Sequence, residues 1–257
     1  MNDGAYIDRG TGAPIVFLHG IGGNADNWLP QINELFADFR CIAWNMPGYG
    51  GNPAVGEMTF AGMADALAGL LDELGLETAT FCGLSMGGYL AQEVLARHPE
   101  RVRALILMCT SASFGKPGGD FQTEFLAARL KPLDAGKTPA DIAPKLAAGM
   151  ASPKAGPEVA GALIASMQRI PAETYRAALN CLVTFDRSDN VKNIACPALL
   201  IAGEEDKTAP AAVMERMAQR IDGAAFHVIP EAGHIANIEA PAATNRLIAD
   251  FMKELDA

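Results

Sequence analysis

The stretch Thr80-Phe81-Cys82-Gly83-Leu84-Ser85-Met86-Gly87-Gly88-Tyr89-Leu90 constrains the fold more than any other part of the chain. Thr80, Phe81 and Cys82 are β-branched, aromatic or small, as suits a buried strand. From Tyr89 to His98 the pattern turns helical, with Leu90, Val94 and Leu95 on one face. The chain must therefore turn sharply between strand and helix. Gly83 and Gly87 stand two residues to either side of Ser85, where a Cβ would clash as the two elements close together. A G-x-S-x-G turn of this kind pushes its central side chain into the open on a strained backbone. Ser85 is the candidate nucleophile.

The rest of the N-terminal half fits around such a unit. Tyr6 to Arg9 reads as a short strand ended by Gly10-Thr11-Gly12. Pro14-Ile15-Val16-Phe17-Leu18 is a nearly continuous apolar run, as in a strand buried on both faces. His19-Gly20-Ile21-Gly22-Gly23 follows as a loop with little side-chain bulk. Asp26 to Phe39 has helical spacing with Trp28, Ile32, Leu35 and Phe36 inward. Cys41 to Trp44 is a second buried strand, and Asn45 to Asn52 can only be loop. Thr59 to Leu74 is a long amphipathic helix closed by Gly75, and Val102 to Met108 is another strand. Alternating strands and helices predict a mostly parallel central sheet flanked by helices on both faces.

The alternation stops after residue 112. From 113 to 193 no strand run appears, and helical pieces are expected near Phe121–Leu130, Asp141–Met150, Glu158–Gln168 and Ala172–Leu182. The rhythm resumes at Ala198 to Ala202, continues through a helix from Pro210 and a strand from Ala225 to Ile229, and ends in a helix from Ala240. The expected organisation is a core of residues 1–112 and 194–257 with a helical lid, 113–193, inserted into it.

A serine nucleophile needs a base, and the base needs an acid to orient it. His98 precedes Pro99 at a helix end, and His227 lies within a strand on its wet face. His19 belongs to the loop after the first buried strand. His234, in Ala232-Gly233-His234-Ile235, lies just beyond the last strand, at the carboxyl edge of the sheet where Ser85 also sits. His234 is the candidate base. After the strand ending at Ala202 comes Gly203-Glu204-Glu205-Asp206, and spacing alone does not choose between Glu205 and Asp206. The oxyanion site calls for two free amides. Met86, at the start of the nucleophile helix, supplies one, and Ile21, flanked by glycines, supplies the other.

Composition narrows the partners. A net charge of −10 argues against nucleic acid or an anionic membrane as the main partner. No apolar run approaches the length of a membrane span, and Met1-Asn2-Asp3-Gly4 shows no secretory pattern. The five cysteines (Cys41, Cys82, Cys109, Cys181 and Cys196) have no C-x-x-C spacing and lie mostly in or beside strands. They read as reduced and buried, as in a cytoplasmic protein. No G-K-[ST] follows the glycine loop, so it is not a phosphate cradle.

Taken together, the His19-Gly20 loop, the Pro47-Gly48-Tyr49-Gly50 turn, the Ser85 elbow, the Gly203…Asp206…Pro210 segment and the Gly233-His234…Glu239-Ala240-Pro241 segment resemble the α/β-hydrolase family, in its order and along essentially the whole chain. The resemblance implies that the acid is Asp206. Asn45 stands where the family often carries aspartate, with a structural effect expected. Phe81 to Gly88 and His234 to Pro241, with Asn245 beyond, are similar to 3-oxoadipate enol-lactonases. The lid departs from that pattern, being small and apolar at Ala147-Ala148-Gly149-Met150. The resemblance implies a serine hydrolase of small carboxylic esters or lactones, working without a metal or organic cofactor on a small-molecule substrate, as a monomer or small homo-oligomer. Hydrolysis of C–C bonds in ring-cleavage products is the alternative on this fold, although those enzymes commonly carry tryptophan where Ile235 stands. A ligand receptor without turnover is a third reading. Lys116, Arg129, Lys131, Arg169 and Arg176 are the lid cations that could anchor a carboxylate, and Met150, Leu163, Met167 and Leu182 could line an acyl pocket.

Overall fold

The computed structural model describes residues 4–116 and 118–255; Met1–Asp3, on which the expectation about a secretory pattern falls, lie outside the described residues. Seven strands form one sheet: β1 (Tyr6–Arg9), β2 (Ala13–Leu18), β3 (Phe39–Trp44), β4 (Ala79–Leu84), β5 (Val102–Met108), β6 (Ala198–Gly203) and β7 (Ala225–Ile229). Their spatial order is β1-β3-β2-β4-β5-β6-β7. β1 pairs antiparallel with β3, and every other pair is parallel.

Because side chains alternate along a strand, the apolar runs feed two cores. Val16, Leu18, Phe81, Leu105 and Leu107 face one side. They pack with Met63 and Leu67 of α2 (Phe60–Glu73) and Leu90 and Val94 of α3 (Met86–Arg97). Ile15, Phe17, Cys82 and Ile106 face the other side. There they meet Ile32 of α1 (Leu29–Leu35) and Ile248 and Met252 of a C-terminal helix, Pro241–Glu254. Among the described residues four α-helices and a 3₁₀ turn, Val191–Asn193, separate β5 from β6: α4 (Asp120–Asp134), α5 (Pro139–Met150), α6 (Pro157–Met167) and α7 (Ala172–Leu182). They fall within the 113–193 stretch. After β6 come α8 (Ala211–Ala218), the single turn α9 (Ala236–Glu239) and the C-terminal helix α10.

Two local expectations need correction, the helix after β2 and the burial of Cys196. The helix expected from Asp26 to Phe39 is a 3₁₀ turn, Ala25–Trp28, capped by Asn24, followed by the shorter α1. Pro30 has no N–H to continue the first turn, so the helix restarts around it. Phe36 then falls beyond the end of α1 and is 46% exposed instead of inward. The helix after the elbow begins at Met86, the start expected for the nucleophile helix; the apolar spacing becomes visible only from Tyr89 because Gly87 and Gly88 fill its first turn. Cys196 is half-buried, while the other four cysteines are buried; all five are free thiols.

Parallel register brings the strand ends level. Leu18 pairs with Gly83, Leu84 with Met108, Met108 with Ile201, and Gly203 with Ile229. The loops after β2, β4, β6 and β7 therefore open on one edge, and every candidate site residue belongs to one of them or to the helix start that follows.

Candidate active site

The turn after β4 is as tight as its glycines require. Ser85 has φ 54° and ψ −115°, a region that a residue with a Cβ occupies at a cost. The surrounding bonds hold it there. Its N–H donates to the Met108 carbonyl at 2.9 Å, and its own carbonyl accepts from the Thr110 hydroxyl at 2.9 Å and the Gly88 amide at 2.9 Å. A Cβ on Gly83 would lie 2.2 Å from the Gly87 carbonyl oxygen, and one on Gly87 would lie 2.1 Å from the Leu18 carbonyl oxygen. Neither position admits a side chain while β4, α3 and β2 stay this close.

Ser85 Oγ is 3.0 Å from His234 Nε2, and His234 Nδ1 is 2.8 Å from Asp206 Oδ2. An ionised carboxylate only accepts, so Nδ1 carries the ring proton and Nε2 is left to accept from the serine hydroxyl. Asp206 is held in turn, its Oδ1 accepting from the amides of Thr208 at 2.7 Å and Ala209 at 2.9 Å. Burial pushes the Asp206 carboxyl up. The hydrogen bond and charge of His234, with the Ala209 and Thr208 amides, more than offset this and leave it below the ordinary carboxylate value. Glu205 points elsewhere, accepting from the Ser152 hydroxyl at 2.7 Å, and Glu204 accepts from the Glu231 amide. Of the three acidic residues after β6, Asp206 is the one that meets the imidazole.

The amides of Ile21 and Met86 find no acceptor among the described residues. Met86 is the first residue of α3, where N–H groups are free and the helix dipole favours an anion. The loop carrying Ile21 is fixed from below. Its carbonyl accepts from the Tyr49 hydroxyl at 2.9 Å. His19, fully enclosed, donates from Nδ1 to the Gly20 carbonyl at 2.8 Å and accepts the Met46 amide on Nε2 at 3.1 Å. Burial drives its pKa down to about 4, against a small opposing effect of the Gly20 carbonyl, so the ring is neutral at pH 7. The remaining histidines lie away from the site. His98 bonds Asp65 at 2.7 Å, and His227 is exposed on β7. Cys82 lies under the turn, its thiol pushed well up by burial and by the nearby Cys41, unlike a nucleophilic cysteine.

One residue quoted from the sequence but given no role there organises the histidine loop. The Glu239 carboxylate accepts from the amides of Gly233 at 2.9 Å and Ile235 at 3.1 Å, on either side of His234, and from Ser152 at 2.8 Å. The His234 amide itself donates to the Met150 carbonyl at 2.9 Å. The segment after α5 is thus zipped onto the histidine loop. A carboxylate a few residues beyond a loop histidine is the available sequence signal, but one of its partners, Ser152, comes from a segment more than eighty residues away. Asn45 accepts from the Ala25 amide and donates to the Gly4 carbonyl, an architectural role.

Two cavities meet at Ser85 and His234. One, about 440 Å³, is bounded by the Gly20–Gly23 loop with Trp28, Leu163, Ile235 and Ile238. The other, about 710 Å³, is bounded by Tyr89, Phe114, Phe125, Arg129, Tyr175 and Leu182. Met150 borders both. Met167 instead packs, nearly fully buried, against Gly22. Among the described residues no group of three His, Cys, Asp or Glu side chains is placed to hold a metal ion, and no helix is long and apolar enough to cross a membrane.

The sequence model of the alpha/beta hydrolase fold matches residues 13–241. The chain belongs to the α/β-hydrolase family. Among solved α/β-hydrolases it is similar to a thermophilic esterase from Thermogutta terrifontis with malate bound, at 30% identity and a TM-score of 0.89 over 98% of this chain and 94% of the other. It is 28% identical to 3-oxoadipate enol-lactonase 2 of Acinetobacter baylyi over 94% of this chain and 89% of that one. It is 29% identical to a protein named as a non-heme bromoperoxidase in Mycobacterium tuberculosis, over 98% of both chains. The family and its mostly parallel sheet agree with what the sequence motifs imply.

Proposed function

We propose that this α/β-hydrolase is a serine hydrolase of small carboxylic esters or lactones. The observation that carries the reading is the relay from Ser85 Oγ through His234 to Asp206, with spacings of 3.0 and 2.8 Å, on a turn held in a strained conformation. The hydroxyl oxygen attacks the substrate carbonyl carbon as Nε2 takes its proton, and Asp206 stabilises the imidazolium that forms. The amides of Ile21 and Met86 receive the negative charge that develops on the carbonyl oxygen. Collapse of the tetrahedral adduct breaks the ester C–O bond, and the imidazolium returns the proton to the departing alkoxide. Water then repeats the sequence on the acyl-Ser85, His234 taking its proton, and frees the acid. A lactone opens by the same steps to a hydroxy- or oxo-acid. The helices α4–α7 act as the lid of this site, since Met150, Leu163 and Leu182 line its cavities.

The test is a panel of aryl esters and lactones of varied acyl length, with a dienoate ring-cleavage product included, against wild type, Ser85→Ala and Asp206→Asn. Wild type should turn over esters or lactones, and Ser85→Ala should not. Asp206→Asn should lower kcat by about ten-thousandfold with a much smaller change in KM, because the imidazole would adopt the wrong tautomer. Turnover confined to the dienoate would move the assignment to C–C hydrolysis. A single slow acylation without release would point to a receptor. Ester turnover that survives Ser85→Ala would refute the reading.

A further inference from the structure

We propose, building on the ester or lactone hydrolase reading above, that the substrate carries a carboxylate remote from the scissile carbonyl and that Arg129 binds it. Arg129 projects from α4, half-buried, into the cavity of about 710 Å³ that Ser85 and His234 also line. It also lines an adjoining outer cavity of about 720 Å³, where Lys145 stands at the rim; Met150 and Thr208 border both spaces. Among the described residues no aspartate or glutamate lines either cavity. That is unexpected in a chain with 30 acidic and 20 basic residues, and it makes the approach to the nucleophile locally cationic on an anionic protein.

Arg129 also differs from the other arginines of the 113–193 stretch. Arg169 pairs with Asp26 at 2.8 Å, Arg176 with Asp134 at 2.7 Å, and Arg187 with Glu93 at 2.7 Å. Arg129 has no carboxylate among the described residues. Its guanidinium carbon lies 5.1 Å from the centre of the Phe125 ring, and Tyr175 is beside it. Stacking on an aromatic face orients the guanidinium plane; the Tyr175 hydroxyl engages one of its N–H groups, and the planar fork still offers others that suit hydrogen bonds to a carboxylate. The other cavity at Ser85 is lined, among the described residues, by no aspartate, glutamate, lysine or arginine, and its His19 is neutral. The two sides of the nucleophile therefore differ in kind: one takes an uncharged group, and the other takes the anionic half of the molecule.

The experiment compares matched substrates that differ by one carboxylate. On the acyl side the pair is 4-nitrophenyl pentanoate and mono-4-nitrophenyl glutarate; on the alcohol side it is phenyl butanoate and 4-carboxyphenyl butanoate. In one of these pairs wild type should favour the anionic member in kcat/KM by about tenfold or more, with the gain mainly in KM. Arg129→Gln should reduce that ratio by about tenfold, Arg129→Lys should restore part of it, and Lys131→Gln, exposed on the same helix, should leave it unchanged. Equal rates within both pairs, or a ratio that Arg129→Gln leaves intact, would overturn the proposal. A second readout needs no turnover: calorimetric titration of glutarate into the Ser85→Ala protein, with and without Arg129→Gln. Binding that Arg129→Gln weakens about tenfold or more supports the anion site; no binding, or binding indifferent to Arg129, overturns it. If no ester is hydrolysed in a Ser85-dependent way, the hydrolase assignment fails, and the glutarate titration still decides the role of Arg129.

Discussion

His19 makes the loop that carries Ile21 sensitive to acid, and the size of the effect follows from its burial. In the folded chain its pKa lies at about 4, against an ordinary value of 6.5. Above pH 6.5 the ring is neutral in both folded and unfolded chains, and the full stability is present. Between 6.5 and 4 the unfolded chain binds a proton that the folded chain refuses, so stability falls as the pH falls. Below 4 both states are charged and the loss is complete. Each pH unit across the gap is worth 1.36 kcal/mol, so the whole gap corresponds to roughly 3 kcal/mol, of which roughly 2 kcal/mol is lost between pH 7 and pH 4.5. Asp206, Asp65, Asp141 and Asp186 are held below their ordinary 3.8, so their contributions fade at lower pH and do not mask this window. The assay is urea unfolding at half-unit pH steps from 7.5 to 4.5, on wild type and on His19→Gln. The glutamine oxygen can still accept the Met46 amide, but the side chain does not titrate. The variant should lose less stability than wild type across this range, by roughly 2 kcal/mol, whatever its stability at pH 7. Identical pH slopes in the two proteins would refute the argument.

Three further substitutions probe packing, two at the site and one control remote from it. Glu239→Gln replaces an acceptor of three amides by a group with one acceptor oxygen, so stability should fall by about 1–3 kcal/mol in chemical denaturation and kcat should fall more than KM rises, because the His234 loop loses its anchor. Alanine at Gly87 should cost about 3 kcal/mol or more by thermal unfolding, its Cβ meeting the Leu18 carbonyl oxygen at 2.1 Å, whereas alanine at Gly69, with nothing within 4 Å in the middle of α2, should stabilise by about 0.5–1 kcal/mol.

The contrast between Gly87 and Gly69 also indicates which parts of this molecule are legible in its sequence. Strands buried on both faces leave continuous apolar runs, so β2, β3, β5 and β6 can be read directly, and parallel register then carries Ser85, Asp206 and His234 to one edge without any knowledge of side-chain contacts. The glycines of the elbow mark close approach because strand and helix must meet there. Spacing could not separate Glu205 from Asp206. They are neighbours in one loop, and the choice depends on Ser152, fifty-three residues earlier, drawing Glu205 aside.

The helical stretch between β5 and β6 shows the same limit more strongly. Arg129, Arg169 and Arg176 look equivalent in sequence, each an arginine on or beside a helix. What separates them is the position of Asp26 and Asp134, which neutralise two of the three, and of Phe125, which merely orients the third. The chemistry proposed for Ser85 is encoded locally, by strand ends and tight turns. The substrate selection proposed for Arg129 depends on which cation is left without a carboxylate partner once the helices have packed, and that is a property of the fold as a whole. Changing the substrate should therefore require substitutions on α4 and α5, around Arg129 and Lys145, with the elbow and its relay left intact.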